Sequence, residues 1–399
     1  MGIEAWPMQT DTFTLEKLPV QRPHLRVAVV TETYPPEVNG VAMTIGRMVE
    51  GLRQRDHQIQ LIRPQQNSAD QPADEASLSH HLQRGMSIPR YQGLKMGLPA
   101  KAGLSKLWAE QRPDVVHIAT EGPLGWSALS AANKLRIPAV TDFHTNFHSY
   151  SAHYGLGFLR PAIVAYLRKF HNKAALTLIP TDGILQELTR HGYRNLGLLA
   201  RGVDARLFDP QRRSAALRSQ WGATDDDPVV LYVGRLAAEK NLDLVFKAFT
   251  AMREQAPNAR LVLVGDGPDL GLWQARQPEA RFCGAKTGAE LASHYASADI
   301  FLFPSLTETY GNVTMEALAS GLAVVAFDYA AAKAHIRDAA NGLKASPGDE
   351  DEFIRKSLQA LDPELRRRLQ AAARHSVQDL SWEKIHQQFE RILLSLVRT

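Results

Sequence analysis

One pattern constrains this chain more than any other: short apolar, β-branched segments alternate with helix-like segments, and the alternation runs twice. In the first half residues 26–31, 58–62, 115–118, 139–143 and 176–180 read as strands. In the second half 229–233, 260–264, 281–283, 300–303 and 323–327 repeat the theme. A helix is expected from about residue 42 to 55. Strands this short and continuously apolar, separated by helices, belong to parallel sheets covered on both faces. At 399 residues the chain is too long for one ordinary domain and suits two. The expected fold class is therefore α/β: two doubly wound, Rossmann-like domains facing across a cleft, with ligands at the carboxyl ends of the strands. The boundary falls near 198–209, where Arg201-Gly-Val-Asp204 closes the first run.

Composition narrows the classes. A single cysteine, Cys283, excludes a disulfide framework and a cysteine-based zinc site and fits a reducing cytoplasm. No apolar run approaches the roughly 20 residues that span a bilayer, and residues 1–26 lack the apolar core of a signal peptide. Met1-Gly2 invites myristoylation, but position 6 is Trp where Ser or Thr is needed. Residues 65–76 read as a polar loop, His80-His81 as a surface pair, and Asp225-Asp-Asp227 before Pro228 as a solvated turn and not a metal cluster. Residues 1–200 hold 21 Lys and Arg against 16 Asp and Glu, whereas 201–399 hold 25 against 26. The excess positive charge thus lies in the half that could meet an anionic surface.

Three stretches carry chemistry. Thr33-Tyr-Pro-Pro-Glu-Val-Asn-Gly-Val41 follows the first strand, and Gly40 at a helix start lets backbone N–H groups approach an anion. A plain loop-to-helix turn would look the same. Val233-Gly-Arg-Leu-Ala-Ala-Glu-Lys-Asn241 places Arg235 and Lys240 at the edge of the second sheet, where two cations can neutralise a diphosphate without a metal. Taken alone, surface charges would read this way too. In the third stretch, 304–321, Gly311 precedes a helix whose free amides, Asn312 and Val313, can point into the cleft. Glu308 lies before that helix and Glu316 within it, so one carboxylate can take sugar hydroxyls and the other a ribose. His144, in Thr141-Asp-Phe-His-Thr-Asn146, ends a strand facing the same cleft. A lone histidine is more often structural, but Asp142 and Asn146 add polarity there.

Together these residues resemble the retaining glycosyltransferases of GT-B architecture, and within them the large fourth family, over about residues 25–395. The second half carries Gly-Arg-Leu with Lys240, Gly265-Asp-Gly267, Phe282-x-Gly284, Glu308-x(7)-Glu316, and Asn341-Gly342 before Pro347-Gly-Asp349. Pro-Pro-Glu-Val-Asn-Gly-Val and Phe-His-Thr-Asn in the first half resemble the branch of GDP-mannose-dependent lipid mannosyltransferases and sulfoquinovosyltransferases. The resemblance implies a tail at 1–24, an acceptor domain at 25–200, a nucleotide-sugar domain at 201–380, and a last helix at 381–399 that crosses back to the first domain.

It also implies roles. Gly40 would contact the donor phosphate, and Arg235 and Lys240 would hold the diphosphate. Glu308 would bind the donor sugar, assisted by the amides that follow Thr309 (Tyr310, Gly311, Asn312, Val313). Glu316 would bind the ribose, and His144 would sit near the transferred sugar and the acceptor. The implied reaction moves a hexosyl group from a UDP- or GDP-linked sugar to a lipid or glycolipid acceptor, the partners being the nucleotide-sugar donor and a lipid or glycan acceptor. It would retain anomeric configuration by same-face attack with the leaving phosphate as base, and use no metal or other cofactor. No nucleic-acid partner is expected. The location implied is cytoplasmic, with a peripheral place on the inner membrane face suggested by the basic, apolar segment 158–173, which holds Arg160, Arg168, Lys169 and Lys173. Three departures from the family pattern stand out: Asp328-Tyr-Ala-Ala-Ala332 replaces a common Gly-Gly, Tyr310 a commoner Phe, and Asn39 a commoner Gly. Other readings are a soluble-acceptor transferase, a GT-B epimerase or phosphorylase, and a non-catalytic carbohydrate- or lipid-binding protein. A nicotinamide enzyme is disfavoured because no Gly-x-Gly-x-x-Gly follows the first strand.

Overall fold

A computed structural model of the chain describes residues 24–37, 39–87, 95–144 and 160–397. Asn146, positions 158 and 159 of the basic segment, and all but His24 of the 1–24 tail lie outside the described residues. In chain order the strands are β1 (Arg26–Val30), β2 (Gln58–Pro64), β3 (Leu78–Gln83), β4 (Gly85–Ser87), β5 (Lys95–Gly97), β6 (Val115–Ile118), β7 (Ala139–Asp142), β8 (Leu176–Ile179) and β9 (Leu196–Leu198). The second half adds β10 (Val229–Val233), β11 (Arg260–Val264), β12 (Arg281–Phe282), β13 (Ile300–Phe303), β14 (Ala323–Phe327) and β15 (Leu343–Ala345). They form two sheets, ordered β3-β2-β1-β6-β7-β8-β9 and β12-β11-β10-β13-β14-β15, and a small β4-β5 hairpin. Every pairing within the two large sheets is parallel.

The expected pair of doubly wound sheets is thus present, each reversing its strand order at one point: between β1 and β6, and between β10 and β13. Such reversals leave a crevice at the strand carboxyl ends. The strands there are fully buried because helices cover both faces; Val229–Val233 is buried at every residue. On the first sheet one layer joins the helix Gly40–Arg53 to the last helix, Trp382–Val397, through Ile45, Met48, Phe389 and Leu393. The opposite layer is built on Trp108, Leu124 and Leu129 from the helices Lys101–Glu110 and Pro123–Lys134. Burying Ile385, Phe389 and Leu393 contributes up to about 1.5–3 kcal/mol each to holding the C-terminus on the first half. Glu390, 3.3 Å from Arg55 and 3.2 Å from His57, fixes that helix laterally.

One sequence reading needs correction. His80-His81 is not a fully exposed surface pair: it lies on the edge strand β3, half-buried, with His81 Nε2 3.2 Å from Ser79 Oγ. Polar side chains hid a strand whose ladder partner, β2, supplies the backbone bonds. The other strands the apolar pattern does not reveal, β4, β5, β9 and β15, have three residues each, too few to show a period. The Asp225-Asp-Asp227 turn behaves as expected, with Asp227 accepting from the Thr224 amide and hydroxyl at 2.7 Å each.

Candidate active site

Both loops of the second half that carry charged groups leave the sheet at its switch point. After β10 the chain turns through Gly234 into a short 3-10 turn, Ala238–Lys240, which ends at Asn241 in the left-handed region (φ 56°). After β13 it runs through Pro304 to Gly311 (φ 90°), the N-cap of the helix Asn312–Ala319. Glycine is needed at 311 by that φ, and it offers no capping side chain, so the amides of Asn312 and Val313 point off the helix end. The two loops are stitched together. Thr307 donates to the Glu239 carbonyl at 3.2 Å, and Asn241 Nδ2 lies 3.4 Å from the Pro304 carbonyl.

The side chains form a charged quartet. Lys240 Nζ pairs with Glu308 Oε1, which also accepts from Ser305 at 2.8 Å. Arg235 pairs with the buried Glu239. Burial alone would raise the Glu308 carboxyl, but the Lys240 ammonium, with Ser305 and Arg235, outweighs it and holds the carboxyl below its ordinary value. Glu308 is therefore a carboxylate with an acceptor role, and each cation is balanced before any ligand arrives. A dianionic diphosphate here would draw Lys240 and Arg235 toward itself while the carboxylates turn to neutral hydroxyl donors. Glu316, a turn into the helix, accepts from the buried Tyr295 hydroxyl at 2.9 Å. Burial pushes its carboxyl up to about 7, only partly offset by Tyr295.

On the first half, Gly40 opens the helix Gly40–Arg53, whose N-cap Asn39 accepts from the Ala42 amide at 2.8 Å. Asn39, where a glycine is commoner, thus caps the helix by itself. A Cβ added at Gly40 would meet nothing within 4 Å, so no protein neighbour requires glycine there. At the end of β7, His144 Nε2 is 2.9 Å from Asp142 Oδ2, and its Nδ1 is 3.3 Å from the Arg201 guanidinium. His117 Nε2 stands 3.2 Å from the same Asp142 oxygen. Burial would raise Asp142, but His117, Arg201 and His144 hold it well below the usual carboxylate range. Burial, then Arg201, lowers His144, which is therefore a neutral imidazole with both nitrogens engaged.

The structure thus gathers Arg235, Lys240, Glu308, Thr309, Gly311, Asn312, Val313 and Glu316 at one switch point, and on the first half places Gly40 at the start of the helix that follows β1 and His144 just past the end of β7. Tyr310 does not fit a donor-binding role through its side chain. It is buried, donating to the Arg201 carbonyl at 3.1 Å with His335 Nε2 also at 3.1 Å. Residues that the sequence reading missed are Glu239, Ser305, Tyr295 and Arg201. Glu239 was legible in principle, as an acid four residues beyond Arg235 on one turn. Tyr295 and Arg201 gain their place only by folding. Among the described residues no group of three or more His, Cys, Asp or Glu side chains is arranged to hold a metal ion.

Comparison with known proteins follows the same division. Residues 38–207 match the family model "Glycosyltransferase Family 4", and 227–363 match "Glycosyl transferases group 1". A GDP-mannose-dependent alpha-mannosyltransferase of Mycobacterium tuberculosis is 35% identical over 360 residues, covering 90% of this chain and 93% of that one. The sulfoquinovosyl transferase SQD2 of Arabidopsis thaliana is 32% identical, over 75% of this chain and 60% of its own. An alpha-monoglucosyldiacylglycerol synthase of Acholeplasma laidlawii is 28% identical, over 82% and 86%. Among solved structures, a sucrose-phosphate synthase of Thermosynechococcus elongatus superposes with a TM-score of 0.76 at 20% identity, covering 94% of this chain and 99% of that one.

Proposed function

We propose that this chain, which belongs to glycosyltransferase family 4 and has the GT-B architecture, moves a hexosyl group from a UDP- or GDP-linked sugar to a lipid or glycolipid acceptor, retaining anomeric configuration and using no metal ion. The observation that carries this reading is the quartet of Arg235, Glu239, Lys240 and Glu308 beside the open end of the helix Asn312–Ala319. In the proposed reaction the diphosphate lies on Arg235, Lys240 and the Asn312 and Val313 amides, which stabilise the negative charge that grows as the anomeric C–O bond breaks. Glu308 takes hydroxyls of the sugar and Glu316 those of the ribose. The acceptor hydroxyl attacks from the face the phosphate leaves, and its proton passes to the leaving phosphate. The phosphate reaches Gly40 on the first half, where the open space at its Cα supports close approach of a ligand. His144 adjoins the sugar through its carbon edge or its backbone, since both ring nitrogens are engaged.

The lipid acceptor draws support from the names of the relatives, which include a diacylglycerol glycolipid synthase, and from the helix Arg160–His171. Leu167 and Phe170 of that helix are buried, while Arg168 and Lys169 are exposed and Tyr166 is 43% exposed. Among the described residues no helix is long and apolar enough to cross a membrane. We place the enzyme peripherally, on the cytoplasmic face of an anionic membrane. The test is sugar transfer from a panel of GDP- and UDP-sugars to diacylglycerol in anionic vesicles and, separately, to soluble sugars. Transfer to the lipid, with vesicle binding that falls with salt and weakens in R168E/K169E, supports the proposal. Efficient transfer to a soluble sugar without vesicle binding overturns the lipid and membrane readings.

A further inference from the structure

We propose that Arg201, in the first crossing between the two halves, is a positioning residue that ties His144 on one sheet to the donor loop on the other. The inference rests on the transferase reading above, and its observations are independent of the quartet.

Arg201 cannot wander. The next residues are sewn to the second crossing: the Val203 amide donates to the Leu380 carbonyl at 2.8 Å, and Val203 bridges Ser381 in parallel. A Cβ on Gly202 would lie 2.8 Å from the backbone of Trp382, so only glycine lets the two crossings approach this closely. Held in this way, Arg201 is 2% exposed and works in both directions. Its carbonyl accepts from Tyr310, the residue before Gly311, whose helix end faces the donor phosphates in the proposed site. Its guanidinium reaches His144 Nδ1 at 3.3 Å and stands 3.8 Å from Asp142 Oδ2.

An arginine has donors only and does not lose its proton. Facing it, Nδ1 of His144 must accept, which leaves the ring proton on Nε2 for Asp142. The charged and titratable groups around His144 are Asp142 at the end of β7, His117 behind Asp142, Glu121 after β6, and Arg201. Asp142 and Glu121 favour the imidazolium, whereas Arg201 and burial oppose it. Arg201 Nη1 is buried and makes no hydrogen bond among the described residues. An apolar residue would fill this place at lower desolvation cost. What the arginine adds is one fixed imidazole tautomer and one fixed register between donor loop and acceptor side.

The experiment follows the His144 imidazole by NMR titration, its signal assigned with H144N, in the full chain and in R201M, R201K and Y310F. Sugar transfer is measured in parallel. His144 should titrate at higher pH in R201M and close to wild type in R201K. R201M should lower kcat by about 10- to 100-fold, the effect of one charge-assisted hydrogen bond, with donor KM little changed. Y310F keeps every charge and should lower kcat while leaving the His144 titration in place. R201M should add little in an H144N background. R201Q replaces R201M if methionine is not accommodated. An unchanged His144 titration in folded R201M or R201Q, or additive effects of R201M and H144N, overturns the link to His144. Wild-type turnover in Y310F overturns the link to the donor loop. If wild type transfers sugar from no donor, the transferase reading fails while the titration still decides the Arg201–His144 contact.

Discussion

Lys240 and Arg235 are already neutralised by Glu308 and Glu239, so in the proposed reaction their effect would be differential: a gain in the transition state, where the phosphate charge grows, and little in the ground state. Replacing either with Ala should lower kcat by roughly 10²- to 10³-fold, the scale of removing one oxyanion donor. Steady-state kinetics at saturating donor checks this, and near-wild-type turnover in both variants would remove the quartet from the mechanism. Glu316 gives a pH signature. Its folded carboxyl is raised to about 7, so the proton is bound more tightly in the folded chain, and stability from this group falls as pH rises from the ordinary carboxyl range through 7. In the proposed site donor binding would run the other way, because ribose hydroxyls would need the Glu316 carboxylate as acceptor. Donor affinity should fall about tenfold between pH 8 and pH 6, a single ionisation near 7, and E316Q should flatten the profile in calorimetric titrations. Arg235, Lys240, Glu308 and Glu316 are legible in sequence because they sit in short loop and helix motifs. Arg201 and Tyr295 are not, because their partners lie far along the chain and meet them only in the fold.

At the level of elements, the loop after β14 shows how local chemistry yields to context. The chain has Asp328-Tyr-Ala-Ala-Ala332 there, yet Ala330 adopts φ 48°, a conformation suited to glycine. The Ala331 amide, bonded to the Tyr310 carbonyl at 2.7 Å, holds it there. Relief of this strain outweighs the extra freedom that glycine brings to the unfolded chain. A330G should therefore raise stability by up to about 1 kcal/mol, read as a higher urea midpoint; a lower midpoint would show the alanine to be favoured. The same scale explains what sequence reveals of the fold. Strands buried on both faces, such as Ile300–Phe303, announce themselves as apolar runs. The edge strand Leu78–Gln83 pairs through its backbone and carries mostly polar, half-buried side chains, and three-residue strands such as Leu343–Ala345 carry no period to read.

For the whole molecule, two sheets of like winding are joined by two crossings that hydrogen-bond to each other, with the last helix lying on the first sheet. The architecture was legible because the alternation of strands and helices runs twice at full length. The seam was not, since Val203, Leu380 and Tyr310 look like ordinary residues until the crossings meet. This arrangement puts cations, helix amides and carboxylates at one switch point, and in the proposed reaction they take a nucleotide-diphosphate sugar through bond cleavage by themselves. The most direct test is turnover of a nucleotide sugar by the purified chain in excess EDTA, followed as nucleoside diphosphate release with acceptor present. Metal-independent cleavage gives a rate unchanged by the chelator and by added magnesium or manganese. Loss of turnover in EDTA, restored by either ion, would contradict it.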